Sequence, residues 1–139
     1  MITLNKYITI TRYNDGSSTM GSRPRIVCNN GNTLSIQAGA FAYCTPQVDN
    51  TDEYTAFEVG FPINKKGLEV THKLLNKYRS GDGVYGHVPK DFCEKIIKEW
   101  GGIDLTVTLE MARVTHNTFD YMLDKLESAL KLQNYIDNL

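Results

Sequence analysis

The chain is poor in the features that mark several protein classes. Its three cysteines, Cys28, Cys44 and Cys93, are too few, too dispersed and odd in number for a disulfide framework. They offer no paired spacing for zinc either, so they read as reduced, buried small hydrophobes and no metal site is expected. No apolar run approaches the length of a membrane span. The start Met1-Ile2-Thr3-Leu4-Asn5-Lys6 lacks the basic stretch, apolar core and small-residue cleavage site of a secretory signal, which places the expected location in a cytoplasm. No sign of charge dominates: a net charge of -1 argues against duplex DNA as partner.

What remains is 139 residues, 41% hydrophobic and 22% charged, a length and balance suited to one domain over residues 1–139. Tyr7 to Tyr13 alternates with a period of two and is rich in β-branched and aromatic residues, which predicts a half-buried strand. Arg25 to Cys28 and Thr33 to Ala38 predict two more strands, joined by the Asn29-Asn30-Gly31-Asn32 cluster as a hairpin. Tyr54 to Phe61 predicts another, closed by Pro62. Between them Gly39 to Glu53 is a loop long enough to suggest function.

Helical patterns follow. Gly67 to Tyr78 places Leu68, Leu75 and Tyr78 near one face, with Ser80-Gly81-Asp82-Gly83 ending the helix and leading into a flexible connector. Pro89 opens a second helix with Phe92, Cys93, Ile96, Ile97 and Trp100 as its apolar stripe and Gly101-Gly102 as its cap. Ile103 to Val114 alternates like a strand yet fits a helix, and a strand or extended lead-in is favoured. From a cap at Thr115 or Asn117, apolar residues recur at spacings of three and four through Ile136, a helix of about six turns. The expected fold is α+β: an antiparallel sheet of about four strands in the N-terminal half, two shorter helices and a long C-terminal amphipathic helix. Residues 1–62 would be sheet-rich, 63–139 helical, and 115–139 able to assemble with a second copy, with Gln133 setting the register.

Candidate chemistry is sparse. His72 and His116 read as solvated or capping residues, and no pair of histidines has the spacing of a helical zinc site. His87 lies beside Gly86, which permits close approach of a ligand or a strand. Val114-Thr115-His116-Asn117-Thr118 gives one copy of an element that two-histidine phosphoesterases need twice. Cys44 lacks a recognisable electropositive wall to make it a nucleophile. The glycines at 81, 83 and 86 do not form a phosphate loop. No catalytic residue and no cofactor is therefore expected.

Charge is segmental: residues 1–36 sum to +3, 37–62 to -4, 63–100 to +3 and 101–139 to -3. Such blocks suit solvated faces. They also suit a local basic pocket drawn from Arg23, Arg25, Lys65, Lys66 or Lys73 beside aromatic residues, fit for a small anionic nucleotide.

Leu34 to Ala38, Ala42-Tyr43-Cys44-Thr45-Pro46, Tyr54, Phe57 to Pro62, Val84 to Pro89 and Trp100 to Ile103 together resemble a run of motifs in small phage and prophage proteins of Gram-positive bacteria. The resemblance covers residues 24 to 103. It implies a counter-defence protein: an oligomeric sponge for nucleotide immune signals of the anti-Thoeris or anti-CBASS type, or a nuclease inhibitor of the anti-CRISPR type. The sponge reading takes Arg23, Arg25, Tyr43, Tyr54, Lys65, Lys66, Tyr85 and His87 as ligand-binding residues and the C-terminal helix as the oligomer contact. The inhibitor reading uses an acidic face, Asp49 to Glu58 or Asp120 to Asp137. A phosphodiesterase using His87 or His116 is a third reading.

Overall fold

A computed structural model describes residues 2–11, 23–49, 51–115 and 120–139. The first element is a helix, α1 (Leu4–Ile10), where alternation predicted a strand. Leu4, Tyr7, Ile8 and Thr11 are all buried, and their i, i+3, i+4, i+7 spacing is that of one helical face. Thr3 caps it by accepting the Lys6 N–H on Oγ1. The β-branched run misled because the same residues satisfy both periods; burial of Tyr7, whose hydroxyl donates to the Pro24 carbonyl, selects the helix. Arg12 and Tyr13 lie outside the described residues.

Strands β1 (Ile26–Val27), β2 (Thr33–Gln37), β3 (Ala56–Ile63), β4 (Arg79–Gly81) and β5 (Val84–Pro89) form an antiparallel sheet in the order β1-β2-β3-β5-β4. The expected hairpin between the first two strands is present. Two strands arise from the part of the chain read as helical: β4 and β5 turn at Gly83, φ +71°, where a flexible connector was expected.

The helix expected over Gly67 to Tyr78 is absent apart from a 3₁₀ turn at Asn76–Tyr78. Asn64 accepts the N–H groups of Lys66 and Leu68 and bends the chain back, so that Val70 donates to the Pro62 carbonyl. His72 then accepts the Leu74 N–H on Nδ1 while its Nε2 lies 2.8 Å from Glu99 on the second helix, α2 (Lys90–Glu99). These local bonds compete with helical ones.

Helix α2 ends as its glycines predict: Gly101, φ +89°, follows Trp100, and Gly102 donates to the Ile97 carbonyl. The ambiguous stretch is helical, α3 (Leu105–Thr115), not a strand. Asp104 accepts the Val107 N–H on Oδ1, and Leu105, Thr108, Leu109 and Ala112 make a buried stripe. Helix α4 (Asp120–Asp137) is the long C-terminal element; a cap at Asn117 lies outside the described residues, and Thr115 belongs to α3.

All four helices send side chains into one apolar cluster with the inner residues of the sheet, among them Tyr7, Leu34, Ile36, Phe57, Val59, Tyr85, Ile96, Leu109 and Leu126. The opposite side of the sheet carries Thr33, Ser35 and Gln37 of β2 and Glu58 and Gly60 of β3. No described helix is long and apolar enough to cross a membrane.

Candidate functional site: the outer face of the sheet

Two β-bulges shape this outer face. Between Ser35↔Gly60 and Thr33↔Ile63, β3 places Phe61 and Pro62 opposite the single residue Leu34. Between Val59↔Tyr85 and Phe57↔Val88, β5 places Gly86 and His87 opposite Glu58. Phe61 (φ 47°) and His87 (φ 52°) are the non-glycine residues with positive φ among those described. Each extra residue is thus held in the left-handed region and turned outward.

The loop after β2 lies over this face. Tyr43 donates its N–H to Glu58 Oε2 at 2.8 Å and accepts the His87 N–H on its carbonyl at 2.8 Å. Gly86 is required beneath it, since a Cβ there would sit 3.2 Å from Tyr43 Cβ and 2.8 Å from Ser80 Oγ. Thr45 Oγ1 is 2.9 Å from His87 Nδ1, leaving Nε2 without a partner among the described residues. The Tyr43 and His87 rings are 6.5 Å apart, and Tyr43 is 51% exposed. This end of the face offers an aromatic ring, an imidazole nitrogen and a hydroxyl.

The other end is basic. Arg25 crosses β2 to donate to Thr33 Oγ1 at 2.8 Å and to the Phe61 carbonyl. No carboxylate neutralises it among the described residues. Lys65 and Lys66 occupy the exposed turn after β3, where the Lys65 stem packs on Gly31 of the β1–β2 turn. From Glu58 to Phe61 the strand advances about 10 Å. That is the scale of a base, a sugar and a phosphate.

The remaining candidates lie elsewhere. Arg23 is 4% exposed and donates to the Ile8 and Ala38 carbonyls, joining α1 to the end of β2. Tyr54 is buried and donates to the Val48 carbonyl; burial raises its pKa. Tyr85 is buried beneath Arg79, whose guanidinium donates to its hydroxyl at 3.0 Å. Lys73 sits in the segment beyond the turn, next to His72. Among the described residues, grooves of about 370 to 580 Å³ open between α1 and α2, between α1 and α4, and beside α3 and α4, and none of the eight proposed ligand residues lines these.

The thiols are poor nucleophiles. Burial pushes Cys28 and Cys93 up to about 12 and also raises Cys44, whose Sγ bonds the Gly39 and Pro46 carbonyls. No group of three or more histidine, cysteine or acidic side chains gathers to hold a metal among the described residues. His116 lies outside them.

No family model, curated protein or solved structure matches this chain. The site therefore rests on its own chemistry. Of the residues named from sequence for a ligand, Arg25, Tyr43, Lys65, Lys66 and His87 lie at the two ends of this face; Phe61 and Thr45 beside them were not named for it, and Glu58 was named only for an acidic face. Gly60 and Pro62 on either side of Phe61 were a usable signal, since both residue types mark bulges when they fall within a strand.

Proposed function

We propose that this protein binds and sequesters a small nucleotide-derived anion on the outer face of its sheet, without transforming it. One observation carries the reading: the Arg25 guanidinium, which no carboxylate among the described residues neutralises, shares that face with the outward-facing Tyr43 and His87. Aromatic rings stack on bases and a guanidinium pairs with phosphate, so binding needs no reactive group. The resemblance to phage and prophage proteins points to a nucleotide immune signal as the ligand, met in the host cytoplasm. Assembly through α4 fits the same role, because Leu132, Tyr135 and Ile136 are all exposed along its C-terminal turns and Leu139, just beyond its end, is exposed too.

Features of the described residues weigh against the other readings. Several carboxylates of the acidic faces that a nuclease inhibitor would use are engaged within the chain: Asp49 accepts the Ala40 N–H, Glu58 the Tyr43 N–H, and Glu127 pairs with Arg113 and Lys131. A phosphodiesterase needs an acid–base pair, and Thr45 is the described side chain bonded to His87.

Purified protein should be heated and the released material analysed by mass spectrometry, with calorimetry against cyclic dinucleotides, cyclic trinucleotides and cyclic ADP-ribose variants. Stoichiometric binding and recovery of an unaltered nucleotide are expected. Absence of both a released nucleotide and any binding heat overturns the proposal, and recovery of a cleaved nucleotide replaces it with the enzyme reading.

A further inference from the structure

Among the described residues, Phe61 is the one large apolar residue forced into a left-handed bulge while more than half exposed, at 53%. A phenylalanine in that conformation is strained whatever surrounds it, and a strained residue persists only where its surroundings hold it. Here two contacts do so. The Phe61 N–H donates to the Gly83 carbonyl at 2.6 Å, and its own carbonyl accepts from Arg25. The ring rests against the β4–β5 turn: a Cβ on Gly83 would lie 2.5 Å from Phe61 Cδ1 and 2.8 Å from Cε1. The turn thus supports an outward-facing ring that contributes nothing to the apolar cluster of the core.

We infer that Phe61, braced by Gly83 and tied through its carbonyl to Arg25, which no described carboxylate compensates, is the stacking platform for a planar heteroaromatic ring whose anionic group is held by that guanidinium. This rests on the nucleotide reading above and assigns the ligand's two halves to two residues. The ring requirement and the charge requirement come from different side chains, so neither a nucleoside nor inorganic phosphate alone satisfies the site. Because the arginine itself holds the Phe61 carbonyl, loss of the guanidinium weakens both halves. The bulge also explains why a flat strand end would not serve: with ordinary alternation, residue 61 would follow outward-facing Gly60 onto the inner face.

The test compares the wild-type protein with Phe61→Asn, Phe61→Gly and Phe61→Tyr. Each is measured for thermal midpoint and for calorimetric binding of adenosine monophosphate, guanosine monophosphate, adenosine and inorganic phosphate. Asn and Gly tolerate positive φ, so both variants should melt no lower than wild type while binding the monophosphates about tenfold or more weakly. Phe61→Tyr should keep both affinity and midpoint, and adenosine and phosphate should each bind far more weakly than the monophosphates. If Asn and Gly lower the midpoint by several degrees, the ring is structural and the inference is overturned. Wild-type affinity in stable Asn and Gly variants overturns it while leaving the nucleotide proposal standing. If the wild-type protein binds neither these probes nor the cyclic nucleotides, the nucleotide proposal itself fails, a result seen before any substitution is made.

Discussion

The hydroxyl of Thr108 on α3 holds both backbone polar groups of Val27 on β1, accepting its N–H at 3.0 Å and donating to its carbonyl at 3.4 Å. Asp104 donates its N–H to the same carbonyl, and Cys28 bridges to Ile103. Helix α3 therefore closes the outer edge of β1, which would otherwise offer an unpaired row of donors and acceptors. Replacing Thr108 with isosteric Val should leave the buried Val27 N–H unsatisfied and cost about 1–3 kcal/mol in denaturant unfolding. Thr108→Ser, which keeps the hydroxyl, should lose less. Equal stability of wild type and Thr108→Val would show that water or an altered pairing replaces the bond.

Arg23 is expected to act on stability rather than on ligand. Its guanidinium serves the Ile8 and Ala38 carbonyls, and Gln37 pairs with its backbone in both directions, accepting its N–H and donating to its carbonyl. Arg23→Met should cost about 2–4 kcal/mol by urea denaturation. Ligand affinity of the folded fraction should hold. A variant of full stability that no longer binds would instead place Arg23 in the binding site.

Stability should fall at alkaline pH. Cys28 and Cys93 have an ordinary value of 9.0 and are pushed up to about 12 in the folded chain, chiefly by burial. A raised folded pKa favours the protonated thiol in the native state, so this contribution is complete below pH 9 and is lost as pH rises toward 12. Each thiol steepens the decline by up to about 1.4 kcal/mol per pH unit in that window. Buried Tyr7 is also raised, by burial against an opposing effect of Arg23, and adds to the decline above its ordinary 10.0. Denaturation series at pH 8 and pH 10.5 test the sign, and Cys28→Ala with Cys93→Ala should flatten the difference. Thiol reagents at neutral pH should modify none of the three buried cysteines until the protein unfolds.

The C-terminal turns of α4 test assembly. Leu132 and Ile136 are a helical turn apart and both more than half exposed. Leu132→Glu with Ile136→Glu should convert an oligomer to monomer in analytical ultracentrifugation with little change in the thermal midpoint of the isolated subunit. A wild-type chain that sediments as a monomer at all concentrations removes the assembly proposal.

The legible parts of the fold were those in which one local pattern had one outcome. The hairpin around Asn29 to Asn32, α2 with its Gly101 cap, and the long last helix all carried terminators or stripes that matched their structures. The misread parts had patterns compatible with two periods. Tyr7 to Thr11 and Leu105 to Met111 alternate, yet Leu4, Tyr7, Ile8 and Thr11, like Leu105, Thr108, Leu109 and Ala112, also fit one helical face, and only contact with the sheet decides between strand and helix. Residues 67–78 failed differently: Asn64 and His72 bind nearby backbone, a competition that hydrophobic spacing does not register.

For the site, the sequence by itself determined the inventory: aromatic and basic residues in alternating charge blocks, three isolated cysteines and no motif of known chemistry. It also carried the α+β class, since turn residues and apolar spacing act over short distances. Only the tertiary structure decided which of those residues share a surface. Arg23, Tyr54 and Tyr85 turned inward because the core needed them, while one extra residue in each of β3 and β5 brought Phe61 and His87 outward. The physical reason is that a bulge is defined by the partner strand it slips against, and that partner is chosen by long-range pairing rather than by neighbours in the chain.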